Sequence, residues 1–226
     1  MSLFVPYTPK AMECVSATLK ILKFSIYLFL SCVIISCTKE DNTEKNPEIT
    51  PDTTIVAING LLQVDGNKII NKGGEPVSLA GNSFFWSNDN WGGERYYTPE
   101  VVAWLKEDWN TTIVRAAMGV EDSGGYLDNK PVNKDRVITI VDAAIDVGIY
   151  VIIDWHSHHA EDHINEAVNF FQEMATLYGE YDNVIYELYN EPLDISWSNT
   201  IKPYALVVIS AIRDIDPDNL IVVGTP

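Results

Sequence analysis

Residues 149–155 read IYVIIDW, a short β-branched run that follows Gly148 and predicts a β-strand. Similar runs recur at intervals of about 35 residues, the length of one βα unit, and cover residues 77–83, 112–118, 183–189 and 220–224. Stretches with helical periodicity lie between them, at residues 135–146, 164–178 and 201–214, and after Thr98-Pro99-Glu100. This alternation predicts an α/β fold with a parallel sheet.

The residues at the predicted strand ends distinguish between two parallel architectures. A doubly wound sheet usually has a glycine-rich phosphate loop after its first strand, whereas residues 82–86 read NSFFW. The strand ends instead carry polar and aromatic side chains, which suits a TIM (β/α)8 barrel with its chemistry at the C-terminal mouth. Such a barrel needs eight units in about 250 residues. We therefore expect a barrel truncated after about five βα units, covering residues 58–226, with a small hairpin over residues 57–70 at its floor.

The first 37 residues have the features of an export signal. Lys20 and Lys23 precede the apolar run FSIYLFLSCVII at residues 24–35, which is shorter than the ~20 residues needed to span a bilayer. The run leads to Ser36-Cys37, which resembles the lipobox at which bacterial lipoproteins are cleaved and acylated. We predict a lipoprotein signal peptide over residues 1–37 with lipidation at Cys37; an ordinary signal peptide cleaved elsewhere is the alternative.

Residues 38–57 are predicted to be a disordered linker. As far as residue 52 they are charged and almost free of apolar side chains, so they cannot bury enough surface to fold. The acidic stretch after Cys37 resembles the surface-export signals of Bacteroidetes lipoproteins. We expect an exported protein, anchored through lipid to the outer membrane or cell surface of a Gram-negative bacterium, or alternatively secreted.

Charge and cysteine usage narrow the function classes. A formal net charge of -17 repels phosphate backbones and anionic lipid surfaces, which argues against nucleic-acid partners and against any membrane contact other than the lipid anchor. The three cysteines, Cys14, Cys32 and Cys37, all precede the predicted barrel, which therefore has no thiol for a disulfide, a zinc site or a nucleophile.

The fourth predicted strand ends in YELYNEP, residues 186–192, and carries the leading catalytic candidate. A carboxyl group at a strand end, in a mouth walled by aromatic side chains, is partly desolvated. Desolvation favours the neutral carboxylic acid and makes it a usable general acid near neutral pH. Glu191 is therefore the candidate general acid, and Asn190 beside it carries an amide that can donate to a ligand hydroxyl.

Six segments, in order and at matching spacing, resemble glycoside hydrolase family 5 and especially its bacterial endoglucanases. They are VSLAGNS (77–83), TTIVRAAM (111–118), IYVIIDWH (149–156), NVIYELYNEP (183–192), IKPYA (201–205) and LIVVGTP (220–226). The resemblance implies that Glu191 is the catalytic acid/base and that Asn190 binds the sugar 2-hydroxyl. It further implies that Arg115 orients the nucleophile and that His156 lines the sugar site.

This resemblance also implies a reaction: retaining hydrolysis of β-1,4-glycosidic bonds in cellulose or a related β-glucan, without a metal or an organic cofactor. The nucleophile of the family is a second glutamate on the seventh strand, beyond residue 226, so we expect residues 1–226 to be inactive alone. The choice between cellulose, mannan, xylan and mixed-linkage glucan stays open. The full-length protein is expected to be monomeric.

Several other residues near the strand ends have predicted roles. Trp86, Trp155 and Trp197 are candidates to stack on sugar rings, because an aromatic face matches the flat C–H face of β-linked glucose. Glu187 is four strand residues from Glu191, about 13 Å along a strand. A retaining pair of carboxyl groups is only about 5–5.5 Å apart. Glu187 is therefore expected to be a buried partner of an inward-facing cation rather than the second catalytic carboxylate.

Two other classes of function remain as alternatives. All four histidines lie in residues 156–163, HSHHAEDH, and an H-x-H pair at a barrel strand end is typical of metal-dependent amidohydrolases. The resemblance assigns only His156, so we expect no metal site. A surface glycan-binding lipoprotein with a degenerate barrel would have the same anchor and tryptophans. Retention of both Asn190 and Glu191 argues against it, because binding alone needs no general acid.

Overall fold

The computed structural model describes residues 53–226. The predicted signal peptide at 1–37, the lipidation site Cys37 and the linker as far as residue 52 lie outside the described residues. In the described part of the chain, no helix is long and apolar enough to cross a bilayer.

A parallel five-stranded sheet forms the centre of the structure, with its strands in the order of the sequence. The strands are β3 (Gly81–Ser83), β4 (Ile113–Gly119), β5 (Tyr150–His156), β6 (Val184–Glu187) and β7 (Leu220–Val222). The five predicted strands are thus confirmed in number and order. The first of them is shorter than the predicted 77–83, because its pairing with β4 begins only at Gly81, opposite Ile113.

Helices follow the strands in the βα pattern. The longer ones are α2 (Pro99–Trp109), α3 (Lys130–Asp146), α4 (Ile164–Tyr178) and α5 (Lys202–Arg213), with 3-10 turns at Glu94–Tyr96 and Ala160–His163 and a π-helical turn at Trp197–Ile201. α4 has the predicted bounds. α3 begins five residues before the predicted 135, because Asn129 is its N-cap and Pro131 lies in its first turn, where a missing N–H costs nothing.

A short helix and a hairpin precede the sheet in the chain, and the segment between them packs on the amino-terminal ends of the strands. The hairpin pairs β1 (Gln63–Asp65) with β2 (Lys68–Ile70) across a two-residue turn, which confirms the predicted hairpin within narrower bounds. Leu62, which precedes the hairpin, packs with Tyr150 of β5 and Ile185 of β6 in one small apolar cluster. The hydroxyl of Tyr150 donates to the carbonyl of Gly60 at 2.6 Å.

The folded part begins earlier than predicted. Helix α1 (Ile55–Asn59) has Thr54 as its N-cap, with the Ala57 N–H donating to the threonine hydroxyl at 3.2 Å. The Val56 N–H also donates to the carbonyl of Gly148, at 3.4 Å. The predicted linker boundary at residue 57 is therefore wrong, because residues 54–57 have both a helix cap and contacts to the sheet region to stabilise them.

The two faces of the sheet bury different residues. A large apolar cluster fills the space between the sheet and helices α2–α5, and it includes Val151, Ile153 and Trp155 of β5. Alternate residues of the same strand, Ile152, Asp154 and His156, therefore face the inner side. Since Ile152 lies nearer the amino-terminal end and His156 ends the strand, the inner face changes from apolar to polar toward its carboxyl ends.

Candidate active site

The polar side chains of the inner face meet at the carboxyl ends of β4, β5 and β6. The strand register places Asp154 directly opposite Glu187 and places Arg115 opposite Ile152, two residues lower. A long arginine side chain at the lower level can reach both carboxylates above it. The register of three neighbouring strands therefore assembles one cation and two anions.

Arg115 connects the groups of this site. Its Nε and Nη2 donate to the two carboxylate oxygens of Glu187 at 2.6 and 2.9 Å. Nη2 also lies 2.9 Å from Oδ2 of Asp154 and donates to Oδ1 of Asn190 at 2.7 Å. Nη1 donates to the hydroxyl of Ser83 at 3.3 Å. The fork-to-fork contact confirms the prediction that Glu187 pairs with an inward-facing cation, and it occupies the carboxylate of Glu187.

Asp154 and His156 form a buried pair on β5. Asp154 is fully buried, and its Oδ2 lies 2.6 Å from Nδ1 of His156. Burial, and then the negative charge of Glu187, raise the pKa of Asp154 well above its usual value, while Arg115 opposes this shift. Burial, and then the positive charge of Arg115, lower the pKa of His156 to about 4. His156 is therefore neutral near pH 7, and its Nε2 is the ring nitrogen left for a ligand.

Glu191 belongs to the same site but lies at its rim. It directly follows Asn190, which Arg115 binds, and its negative charge opposes the lowering of the His156 pKa by burial and by Arg115. Its Oε2 lies 3.9 Å from Nδ1 of His158. The side chain is 74% exposed, and the expectation of a partly desolvated carboxyl is therefore wrong for the described residues. β6 ends at Glu187 rather than at the predicted residue 189, so Glu191 lies on a loop beyond the strand layer.

The side-chain amide of Asn190 has a hydrogen-bond partner for its oxygen but none for its nitrogen within residues 53–226. Arg115 donates to its Oδ1, whereas its Nδ2 is buried and has no hydrogen-bond partner within residues 53–226. A buried donor without a partner is costly unless a ligand satisfies it. This geometry suits the predicted role in binding a sugar hydroxyl.

The three candidate stacking tryptophans have different surroundings. Trp86 is half-buried beside the site, 5.4 Å from the ring of Trp91 in a stacked arrangement and 4.4 Å from the ring of His156 edge-on. Trp197 is 43% exposed and begins the turn after the Glu191 loop. The position of Trp86 beside His156 suits a role in stacking, and the exposure of Trp197 leaves its ring open to a ligand.

Trp155 does not line the site, and its predicted role in sugar stacking is wrong. The side chain is fully buried and packs against Phe170, Phe171 and Tyr126 in the layer between sheet and helices. Consecutive residues of a strand point to opposite faces. Since His156 faces the inner side, Trp155 must face the helices.

Two residues of the site, Asp154 and His158, were not predicted from the sequence. Asp154 precedes His156 by two residues on the same strand, so period-two alternation alone places it on the same face. His158 lies in the loop after β5, and its contact with Glu191 joins two loops that no sequence pattern relates. In the part of the chain that the structure describes, no group of three or more His, Cys, Asp or Glu side chains is spaced to hold a metal ion.

Comparison with known proteins identifies the family of this chain. A family model described as cellulase, glycosyl hydrolase family 5, matches residues 70–226. The chain belongs to glycosyl hydrolase family 5. The resemblance read from the six segments is therefore confirmed, and the five parallel strands with their helices are part of the (β/α) barrel expected for this family.

Individual relatives are endoglucanases. The chain is 64% identical to Endoglucanase Z of Dickeya dadantii over 165 residues, which are 73% of this chain and 38% of that protein. It is 40% identical to an endoglucanase of Clostridium saccharobutylicum, over 77% of this chain and 39% of that protein. The chain thus spans about two fifths of the length of the curated relatives that it matches.

Solved structures of relatives agree with the fold. A structure from Cytophaga hutchinsonii superposes with a TM-score of 0.73 at 53% identity, covering 76% of this chain and 55% of that one. The catalytic domain of a Thermobifida fusca endoglucanase superposes with a TM-score of 0.71 at 36% identity, over 76% of this chain and 56% of that one. A variant of the Thermobifida fusca catalytic domain was solved in complex with cellotetraose.

Proposed function

We propose that this chain belongs to an endo-β-1,4-glucanase that hydrolyses cellulose or a related β-glucan with retention of configuration, and that Glu191 is its acid/base. The observation that carries the proposal is the joint placement of Glu191, Asn190, Arg115 and His156 at the carboxyl ends of neighbouring barrel strands. The family membership and the cellotetraose complex of the Thermobifida fusca relative support the substrate class.

In the proposed reaction each residue acts through its observed contacts. Glu191, at the rim, gives its proton to the departing glycosidic oxygen and later takes a proton from the attacking water. The free Nδ2 of Asn190 donates to a sugar hydroxyl, and the free Nε2 of His156 contacts a second one. Arg115 holds Asn190 and provides positive charge near the reacting centre. Glu187 is the last residue of β6 and pairs with Arg115 below the loop that carries Glu191, and the nucleophile expected from the resemblance is a different glutamate, outside residues 53–226.

The test is a comparison of Glu191→Gln with the unchanged intact protein. Glu180→Gln serves as a matched control, because Glu180 is exposed and lies at the opposite, amino-terminal end of the barrel. General acid–base catalysis contributes about 10²- to 10⁴-fold, so we expect Glu191→Gln to lose that factor in release of reducing sugar from β-glucan. Parallel assays on cellulose, mixed-linkage glucan, mannan and xylan rank the substrates.

Other outcomes of the same experiment are equally informative. Full activity of Glu191→Gln would remove Glu191 as the acid/base. Tight binding of β-glucan by the intact protein, with no bond cleavage under any condition, would favour the glycan-binding lipoprotein instead. Azide added with an activated aryl cellobioside should rescue Glu191→Gln and yield a β-glycosyl azide, because the small anion needs no general base; an α-product would contradict retention.

We also propose that the protein is exported and anchored by lipid at Cys37. The support is the apolar run at residues 24–35 followed by Ser36-Cys37 and the acidic tether. Expression in a Gram-negative host with labelled palmitate should label the unchanged protein and leave Cys37→Ala unlabelled. Equal labelling of both would contradict the anchor, and unlabelled protein in the medium would favour the secreted alternative. We expect the full-length protein to be monomeric in gel filtration.

A further inference from the structure

We propose that His158 is a positioning residue that fixes the main chain of Glu191 and thereby aims the acid/base carboxyl. The proposal rests on the function assigned above to Glu191. Its basis is one contact: Nδ1 of His158 lies 3.1 Å from the carbonyl oxygen of Glu191. A carbonyl oxygen only accepts, so Nδ1 carries the hydrogen and donates it.

The position of His158 itself is fixed from two sides. Its main-chain N–H donates to Oε1 of Glu121 at 2.9 Å, from the loop after β4. Its carbonyl oxygen lies 2.9 Å from the hydroxyl of Tyr189, which follows β6 and also contacts Glu161. The imidazole is 30% exposed and its ring centroid is 5.6 Å from that of Trp86. His158 is therefore a fixed support rather than a mobile loop residue.

The loop that carries Glu191 depends on such supports, because residues 188–192 have no regular secondary structure. The carbonyl of Leu188 accepts from the hydroxyl of Tyr204 at 2.8 Å, and the carbonyl of Tyr189 accepts from the N–H of Gly224 at 3.0 Å. Both bonds lie before the catalytic residue. Within residues 53–226, the bond from His158 is the one that holds the main chain of Glu191 itself.

Fixing this carbonyl fixes the direction of the Glu191 side chain. The next residue, Pro192, already restricts Glu191 to extended backbone conformations, and the bond from His158 sets the orientation of the peptide between them. With 74% of the side chain exposed, little packing holds the carboxyl in place. Loss of the His158 bond should therefore impair proton donation more than substrate binding.

The experiment separates proton donation from other effects by the leaving group. An aryl cellobioside with a poor leaving group needs protonation during bond cleavage, whereas a dinitrophenyl leaving group departs without it. The value of kcat/KM reports only the steps through cleavage. The ratio of kcat/KM for the poor leaving group to kcat/KM for the dinitrophenyl leaving group therefore measures acid catalysis. The ratio is taken within one preparation of the intact protein, so a partly misfolded variant does not distort it.

Two substitutions separate the hydrogen bond of His158 from the packing of its ring. His158→Phe keeps a ring beside Trp86 but removes the donor, and we expect kcat/KM to fall about tenfold for the poor leaving group and less than about twofold for dinitrophenyl cellobioside. His158→Asn places an amide nitrogen near the position of Nδ1, so about a third or more of the activity should return. His159→Phe is the control, because His159 is exposed and its contact with Ser157 is made through its main-chain N–H; this variant should leave the ratio unchanged.

The outcomes distinguish this proposal from the proposed function. An unchanged ratio in His158→Phe, or an equal loss for both leaving groups, would overturn the positioning role, while a lower ratio in Glu191→Gln would still support the acid/base assignment. If the ratio were lower in His158→Asn than in His158→Phe, the ring rather than the hydrogen bond would support acid catalysis, and the proposal would be wrong. If Glu191→Gln itself left the ratio unchanged, the acid/base assignment would fail first.

Discussion

The inner and outer faces of β5 differ in what they contribute. On the outer face, Ile153 and Trp155 are fully buried in the apolar layer under the helices. On the inner face, Asp154 is fully buried and His156 nearly so, but within a network of charges and hydrogen bonds. Apolar burial stabilises wherever it occurs, whereas a buried charge stabilises only with its partners in place. Substitutions on the outer face should therefore affect stability alone, whereas substitutions on the inner face should affect stability, activity and the response to pH.

The largest effect should follow from removal of the central cation. Arg115→Met leaves the buried Asp154 and the half-buried Glu187 without their partner, and breaking a buried pair in this way costs about 3–5 kcal/mol. Activity should be lost as well, because Asn190 loses its support. Lys134→Met is the control, because its 2.6 Å contact with Glu173 is made by more exposed side chains and is worth about 1 kcal/mol or less. Urea unfolding checks both values, and equal losses would contradict the contrast between buried and exposed pairs.

A similar loss of stability, without a direct effect on binding, is expected on the outer face. Trp155→Ala should cost about 3–5 kcal/mol, because it removes the largest fully buried side chain of the core. Trp86→Ala should raise KM for β-glucan and cost much less stability, because Trp86 is only half-buried. Thermal unfolding and steady-state kinetics of the two variants form the test. A raised KM with unchanged stability in Trp155→Ala would indicate that this ring contacts the substrate.

The smallest of the three effects is a dependence of stability on pH. The pKa of His156 is lowered from 6.5 to about 4 in the folded protein, first by burial and then by Arg115, so the unfolded chain binds the proton more readily. Stability is full above about pH 6.5 and is lost as the pH falls toward 4, by roughly 3 kcal/mol at most.

The measurement is the difference in unfolding free energy between pH 7 and pH 4 for the unchanged protein and for His156→Gln. The pKa of Asp154 is raised, by burial first and then by Glu187, so its protonation on acidification acts in the opposite direction. Because Asp154 is present in both proteins, the comparison leaves mainly the contribution of His156. A His156→Gln variant that loses as much stability as the unchanged protein would contradict burial of a neutral imidazole.

Part of this picture could be predicted from local pattern alone. The five strands, helix α4, the hairpin and the pairing of Glu187 with an inward cation all follow from residue type and spacing, and the structure has each of them. The errors have different origins. The predicted place of Trp155 at the mouth beside His156 is wrong because neighbouring residues of a strand face opposite ways. The predicted strand before Glu191 is two residues longer than the strand in the structure.

The alternation of strands and helices and the chemical identity of the site can be read from the amino-acid order, because hydrophobic period and motif spacing are local properties of the chain. The sequence also indicates the family, since six matching segments in order are specific. Which groups meet depends on the three-dimensional fold: the register of β4, β5 and β6 brings Arg115 to Asp154 and Glu187, and the packing of two loops brings His158 to Glu191. Those contacts depend on distances between residues far apart in the chain, and no local pattern of residues contains them.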